Sequence, residues 1–393
     1  MTFQGRDKPV YSPALNTPGR IPDTSRLMNR PTLGITPNAT NLTDIALTSQ
    51  ALKASGGLER YTRDVIAGLH RLGIKPTLYA REIDDSMEEA QWINAHPLNV
   101  RWVPRKLRNL WFNHLLKRQL TRHRPQCVLA INNSPYADIT ICGGTHPGSL
   151  EAAGARIRAS DRWQFDLEHR TYHHARRIVA HARLMAHELQ RYYAIPADKI
   201  DVIYPPVETS RFRLLDGDAR RAVRHRFGIP ADKTLFVFSS TNHKRKGYDL
   251  IEPFFLHTDL PVCLVVAGRP VPRTSETLRY AGYCHDIENL FAAADYTIVA
   301  SVYEPFGLVA VESVICGTPV VIADNVGAAE AIRPDAKLEF SRASPDGFSA
   351  AIHAALARAQ AGTAQIVDPR SQLVYDPDVD MHVAALYQLM QTV

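Results

Sequence analysis

The chain has 393 residues, enough for two domains of ordinary size, and its 45% hydrophobic and 8% aromatic content is typical of a soluble globular protein. No run approaches the roughly 20 apolar residues that cross a bilayer, and the N-terminus lacks the apolar core of a secretory signal. Residues 1–200 hold 28 Lys and Arg against 17 Asp and Glu, a balance of +11, whereas the remainder holds 18 against 23, a balance of −5. The basic first half favours an anionic partner: nucleic acid, an acidic glycan or a membrane surface.

The cysteines indicate a reducing compartment. They are odd in number, far apart and mostly in apolar segments, namely Cys127, Cys142, Cys263, Cys284 and Cys316. Their spacing does not match a metal site, so we expect reduced core residues in a cytosolic protein.

The N-terminal region predicts an irregular arm followed by a strand and a glycine-rich loop. Residues 1–31 are polar and contain five prolines, and 32–36 is a candidate first strand. The pair Gly56-Gly57 precedes a predicted amphipathic helix over 58–72. Glycines before a helix allow the backbone to approach a diphosphate closely, although a plain tight turn is the alternative.

Residues 101–125 predict a basic amphipathic helix, with eight basic residues and no acidic one. The residues predicted to share its apolar face are Leu107, Leu110, Trp111, Leu115 and Phe112. Such a helix suits the surface of an anionic bilayer, and the alternative is a solvated helix packed on the first domain. Nucleic acid is disfavoured as a partner because no recognised binding module accompanies the charge.

Two further strands, 127–131 and 138–142, are expected before a loop that carries His146. A helix rich in Arg and His is expected over 160–177, presenting a solvated or acceptor-facing surface. A second sheet is expected to begin at 235–239, close to three consecutive basic residues, Lys244 to Lys246. Three basic residues in a loop are by themselves usually only solvated.

The stretch 299–332 predicts a βαβ unit with a ligand at the end of its first strand. A buried strand ends near Ala300, Pro305 suits the first turn of a helix, 307–316 is apolar on most sides, and 320–323 is the next buried strand. Glu304 lies at the strand end and Glu312 on the buried helix. Free amides at the helix start, at Phe306, Gly307 and Leu308, form an anion site. A buried carboxylate needs hydrogen-bond donors, and a ribose provides them, so the arrangement suits a nucleotide-sugar.

The segment from Glu304 to Glu312, EPFGLVAVE, with Gly-Thr-Pro-Val-Val behind it, resembles the E-x7-E motif of the retaining glycosyltransferases of family 4. The resemblance implies an α/β protein of GT-B architecture, in which two Rossmann-like domains face each other across a cleft. It also implies an arm over 1–31, an acceptor-side domain over 32–207, a donor-binding domain over 208–375, and a C-terminal helix over 376–393 that crosses back to the first domain.

The resemblance assigns roles to residues at matching positions. Lys246 matches a lysine that grips the donor diphosphate, and Arg245 replaces the arginine usual there, as in lipopolysaccharide core glucosyltransferases. His146 matches a histidine near the donor sugar. The catalytic candidates are His146, Glu304, Lys246 and Arg245. The donor-binding candidates are Gly56, Gly57, Arg245, Lys246, Glu304, Phe306, Gly307, Leu308 and Glu312.

The resulting prediction is a metal-independent hexosyltransferase without a cofactor, acting with retention from a nucleoside diphosphate sugar, UDP-glucose before GDP-mannose. Its expected acceptor is a lipopolysaccharide-core or lipid-linked glycan. Its expected location is the cytoplasm, with peripheral contact through 101–125 at the cytoplasmic face of the inner membrane. The alternatives are a sugar-nucleotide epimerase of the same architecture and a non-enzymatic peripheral membrane protein.

Overall fold

The structure, a computed structural model, describes residues 42–393. The arm expected over 1–31 and the strand expected over 32–36 lie outside these residues. Within them the chain forms two parallel sheets flanked by helices, as the sequence predicted.

The first sheet has seven parallel strands in the order β5-β3-β1-β6-β7-β8-β9. Its strands are β1 (Ile45–Thr48), β3 (Thr77–Ala80), β5 (Asn94–Pro97), β6 (Cys127–Ala130), β7 (Ile139–Cys142), β8 (Arg177–Ala180) and β9 (Ile200–Val202). A short pair, β2 (Ala51–Leu52) and β4 (Glu82–Ile83), continues beyond β1 and β3. Strand β1 was not predicted from the sequence, although it lies between β3 and β6 and ends eight residues before Gly56.

The second sheet has six parallel strands in the order β12-β11-β10-β13-β14-β15. They are β10 (Thr234–Ser240), β11 (Val262–Gly268), β12 (Leu278–Gly282), β13 (Tyr296–Val299), β14 (Val320–Ala323) and β15 (Lys337–Phe340). Strands β10, β11, β13 and β14 are almost entirely buried, which explains their continuous apolar sequences.

Twelve α-helices among residues 42–393 cover these sheets. They are α1 (Gly57–Arg71), α2 (Arg108–Arg122), α3 (His146–Ala152), α4 (Ala159–His174), α5 (Arg183–Tyr193), α6 (Gly217–Arg226), α7 (His243–Lys246), α8 (Tyr248–Leu256), α9 (Ile287–Ala293), α10 (Leu308–Ile315), α11 (Gly347–Gln360) and α12 (Val379–Met390). None of them is long and apolar enough to span a bilayer. Helix α4 ends earlier than expected because Arg177 already opens β8.

Only some of the residues expected on the apolar face of the basic helix, α2, are buried. Helix α2 packs on the first sheet through Phe112, Leu116 and Leu120. Leu110 and Trp111, expected on the same face as Phe112, are exposed. The helix thus carries apolar residues on two sides, and the side that contains Phe112 faces the sheet.

The last helix packs against the first sheet's side of the molecule. Val383, Leu386 and Met390 of α12 belong to the same core as residues of α1 and β1. Gly68 of α1 permits close contact, because a Cβ there would lie 2.5 Å from a methyl carbon of Val383.

All five cysteines, which lie within the described residues, are free thiols, and four of them are buried. The burial of these four agrees with the expectation of core cysteines, and their redox state stays a prediction.

Candidate active site

The carboxyl end of β13 brings Glu304 to Lys246. The Nζ atom of Lys246 lies 2.6 Å from Glu304 Oε2, and Ser301 Oγ donates to the same oxygen at 3.1 Å. Arg245 Nη1 stands 3.7 Å away. The side chains of Glu304 and Lys246 are only 12% and 14% exposed, whereas that of Arg245 is 46% exposed. Three of the four residues predicted to be catalytic therefore form one charged group.

Two glycines permit this arrangement. Gly247, directly after Lys246, has φ +81°, and a Cβ there would lie 1.9 Å from the carbonyl oxygen of Ala300. Only glycine allows α7 to approach the end of β13 so closely. Gly307 has φ +98°, and a Cβ would lie 3.0 Å from Glu304 Cγ. These contacts give a physical reason for the Lys-Gly and Phe-Gly sequences.

Helix α10 begins at Leu308, with Gly307 as its N-cap residue. The expectation that Pro305 lies in the first helical turn is wrong, because the left-handed Gly307 separates the proline from the helix. The first N–H groups of an α-helix lack an intrahelical acceptor, and Gly307 has no side chain to cap those of α10. The expected anion-binding amides are thus at a helix start beside Glu304.

Glu312 is buried, with 6% of its surface exposed, and it is already paired. Arg60 Nη1, from the first turn of α1, lies 2.5 Å from Glu312 Oε1. Arg60 also lies 3.8 Å from Asp64, and its guanidinium stands 5.8 Å from the centre of the Phe212 ring. Burial disfavours the charged guanidinium, but Glu312 and the neighbouring carboxylates outweigh this, and the pKa of Arg60 is raised. Burial raises the pKa of Asp64 to about 6.

Arg60 is the residue that the sequence analysis missed. Its Nε and Nη2 atoms are buried and have no hydrogen-bond partner among residues 42–393. The guanidinium therefore has spare donors next to the predicted ribose-binding carboxylate. The only signal in the sequence is a basic residue one turn after Gly56-Gly57; its partner is 252 residues away.

The glycine pair is where the sequence analysis expected it, at the start of α1. Gly56 is the N-cap residue with φ +64°, and Gly57 is the first helical residue. Both are exposed, and nothing lies within 4 Å of a Cβ built on Gly57. The loop leaves open space for a ligand and carries Arg60 to Glu312.

The end of β7 contacts the loop that carries Glu304. The backbone N–H of Thr145 donates to the hydroxyl of Tyr303 at 3.1 Å, and that hydroxyl donates to Glu188 Oε2 at 2.8 Å. Thr145 also hydrogen-bonds Glu188. Burial raises the pKa of the Glu188 carboxyl, partly offset by these hydrogen bonds. Tyr303 therefore fixes the Glu304 loop against the first sheet's loops.

His146 begins helix α3, immediately after Thr145. Its Nε2 lies 3.1 Å from Asp161 Oδ1, and its backbone N–H donates to Glu168 Oε2 at 3.0 Å. Within residues 42–393 the imidazole makes no hydrogen bond to Glu304 or Lys246. The structure thus brings the backbone of this loop to the site, while Asp161 holds the imidazole itself.

Comparisons with known proteins identify the family and the fold. The model of Glycosyltransferase Family 4 matches residues 55–211, and that of Glycosyl transferases group 1 matches 219–361. A probable transglycosylase of Burkholderia thailandensis is 44% identical over 348 residues, covering 88% of this chain and 96% of that protein.

Solved structures show the same fold at low identity. WaaG, a glycosyltransferase involved in lipopolysaccharide biosynthesis, is 17% identical with a TM-score of 0.69, covering 88% of this chain and 98% of WaaG. Anabaena HepE in complex with UDP and glucose is 16% identical with a TM-score of 0.69, covering 89% of this chain and 100% of HepE. The chain therefore belongs to the glycosyltransferases of family 4 and has the GT-B fold.

Proposed function

We propose that this glycosyltransferase transfers a hexose, with retention of configuration, from a nucleoside diphosphate sugar, with UDP-glucose as the first candidate and GDP-mannose as the second. The Lys246–Glu304 ion pair beside the start of α10 carries the proposal. It places a cation, a carboxylate and free amides together at the ends of parallel strands, where α/β folds bind ligands. HepE, which shares this fold, was crystallised with UDP and glucose.

The proposed chemistry is electrostatic. Negative charge develops on the departing diphosphate, and Lys246 has two N–H donors left after its bond to Glu304. Arg245 is exposed and presents a guanidinium fork that suits phosphate oxygens. The amides at Phe306, Gly307 and Leu308 add a helix N-terminus. With this charge supplied by side chains and amides, we propose that transfer needs no metal ion and no cofactor.

The carboxylates would orient the donor. Glu304 would accept from sugar hydroxyls, and Glu312 from the ribose hydroxyls. A carboxylate has about four acceptor positions, and Arg60 occupies one on Glu312. The departing phosphate oxygen would accept the acceptor's proton, so no protein nucleophile is invoked. His146 would lie near the donor sugar.

The proposed acceptor is an anionic glycan of the lipopolysaccharide core or a lipid-linked glycan, at the cytoplasmic face of the membrane. The basic first half of the chain supports this. Trp102, Leu107, Leu110 and Trp111, here termed the exposed strip, are at least 38% exposed beside the basic residues of α2. An exposed Trp/Leu surface amid Arg and Lys suits the interface of an anionic bilayer.

Calorimetric titration with UDP-glucose, UDP-N-acetylglucosamine and GDP-mannose, with and without EDTA, tests the donor site. We expect one donor to bind equally with and without EDTA, and Glu312→Ala to weaken its binding. Binding of none of them would contradict the proposal, and conversion of the bound sugar to its epimer without an acceptor would favour an epimerase.

Lys246→Ala tests the catalytic role. Removing a charge that stabilises the transition state should lower the transfer rate about 100-fold or more. Lys244→Ala, which removes a neighbouring exposed lysine from the same short helix, is the matched control and should retain activity. Equal activity of the two variants would refute the assignment.

A further inference from the structure

A basic cavity lies in the first sheet's half of the molecule, beside the glycine loop. Its volume is about 230 Å³. The charged residues that line it are Lys53, Glu59, Arg81, Glu82, Arg101 and Arg108. The site proposed for the donor contains none of these residues.

The topology explains why these residues meet. Lys53 follows β2, Arg81 directly follows β3, and Arg101 lies shortly after β5. The carboxyl ends of parallel strands lie at one edge of a sheet, and this edge also carries the Gly56-Gly57 loop. Glu59 lines the cavity, and the next residue, Arg60, reaches Glu312. The cavity and the candidate donor site are therefore contacted by consecutive residues of one helical turn.

The positive charges of the cavity are only partly compensated. Glu82 accepts from Arg101 at 2.7 Å and lies 3.8 Å from Lys53. Within residues 42–393 neither Arg81 nor Arg108 has a carboxylate at ion-pair distance. Arg108 donates instead to the carbonyl oxygens of Val103 and Arg101. Two guanidinium groups thus line a cavity that also contains Glu59 and Glu82, and among the described residues neither guanidinium has a carboxylate within ion-pair distance.

Arg81 is the member of this group that has a buried N–H donor without a partner among the described residues. It donates through Nη2 to Asn109, and its guanidinium stands 5.7 Å from the centre of the Phe112 ring. Its Nε atom is buried and has no hydrogen-bond partner among the described residues. Burial and the nearby charge of Arg108 lower the pKa of Arg81. A buried donor without a partner costs free energy, and an oxyanion in the cavity would compensate the charge of the guanidinium.

We propose that this cavity binds an oxyanion carried by the acceptor, a phosphoryl or carboxylate group, through Arg81 and Arg108. The inference rests on the proposed glycosyltransfer, because it identifies a chemical feature of the acceptor of that reaction. Two arginine forks suit either group, whereas a neutral hydroxyl would leave the two charges uncompensated. The anion would hold the acceptor at the carboxyl edge of the first sheet while the second sheet's residues hold the donor.

The test is a calorimetric titration at constant ionic strength with inorganic phosphate and, separately, glucuronate, on the whole chain with and without saturating UDP. We expect at least one of them to bind at one site per chain with UDP present, because UDP then occupies the proposed diphosphate site. Phosphate binding alone would identify a phosphoryl group, glucuronate binding alone a carboxylate. Arg81→Gln/Arg108→Gln should weaken binding tenfold or more without changing UDP affinity.

The matched control is Lys117→Gln/Arg118→Gln, which removes the same charge from helix α2 outside the cavity and should change affinity less than twofold. Because Arg81 is partly buried and its loss could impair folding, Lys53→Glu, at a half-exposed position, is a second variant that should also weaken anion binding. With saturating UDP, binding of neither anion or equal loss in the control would overturn the proposal. Failure of UDP itself to bind would refute the proposed function. If the cavity then still bound an anion and Arg81→Gln/Arg108→Gln weakened that binding, the anion site would exist but would not be an acceptor site.

Discussion

The ion pair between Arg60 and Glu312 joins the half of the protein that contains the first sheet to the half that contains the second, and it should contribute measurably to the free energy of unfolding. Arg60 belongs to α1 and Glu312 to α10, and their side chains are 25% and 8% exposed. In Arg60→Gln the Glu312 carboxylate would stay buried without its cation. In the double variant Arg60→Gln/Glu312→Gln neither charge remains. The single variant should therefore be less stable than the double variant.

The size of the effect follows from burial. Removing one partner of a fully buried pair costs about 3–5 kcal/mol, and partial exposure of Arg60 reduces this to about 2–4 kcal/mol. For the 352 residues from 42 to 393 the entropy of unfolding is about 0.7 kcal/mol/K. If both halves unfold together, Arg60→Gln should lower Tm by about 3–5 °C. The double variant should recover more than half of that loss.

Differential scanning calorimetry of the wild type, both single variants and the double variant gives the coupling directly. Arg71→Gln is the matched control, because Arg71 lies on the same helix but pairs with Asp380 at the surface, where a pair contributes about 0–1 kcal/mol. An unchanged Tm in Arg60→Gln, or additive effects in the double variant, would refute the reasoning.

Other perturbations test burial, backbone conformation and the exposed strip. Burial lowers the pKa of His382 to about 4 from an unfolded value of 6.5, so folding stability is lost as pH falls below 6.5. From pH 7 to pH 5 this loss is about 2 kcal/mol. Thermal melts of His382→Gln should therefore show a shallower pH dependence than those of the wild type. Gly307→Ala, at φ +98°, should lower the free energy of unfolding measured in urea by about 1–2 kcal/mol. Gly57→Ala should leave the free energy of unfolding unchanged, and it should weaken UDP binding if a diphosphate approaches that loop. Leu110→Ser/Trp111→Ser should reduce sedimentation with phosphatidylglycerol vesicles at least about tenfold, and undiminished sedimentation would contradict membrane contact through the exposed strip.

The βαβ unit around Glu304 could be predicted almost residue by residue. Strand β14 and the glycine that ends α10 have the predicted bounds, because a continuous buried run followed by Gly and Pro leaves few alternatives. These elements are specified by their local sequence.

Elements that depend on distant partners could not be predicted. Strand β1 is four residues long, and nothing local distinguishes it from the apolar residues at 32–36. On α2 the periodicity fits two apolar faces, and only the sheet decides that Phe112 is inside and Trp111 outside. The pairing of Arg60 with Glu312 joins residues 252 positions apart. A sequence pattern gives the residue types of a site and leaves such pairings open.

The Arg60–Glu312 pair also bears on how a donor could enter. A ribose that hydrogen-bonds Glu312 must either share this carboxylate with Arg60 or displace the guanidinium. Displacement would leave Arg60 charged and partly buried, which is unfavourable unless another anion replaces the carboxylate. The donor's own diphosphate is such an anion, and the spare Nε and Nη2 donors of Arg60 are available to it. A nucleoside, which lacks the diphosphate, should therefore bind far more weakly than UDP. The difference in affinity between UDP and the nucleoside should decrease more in Arg60→Gln than in the control variant Arg71→Gln.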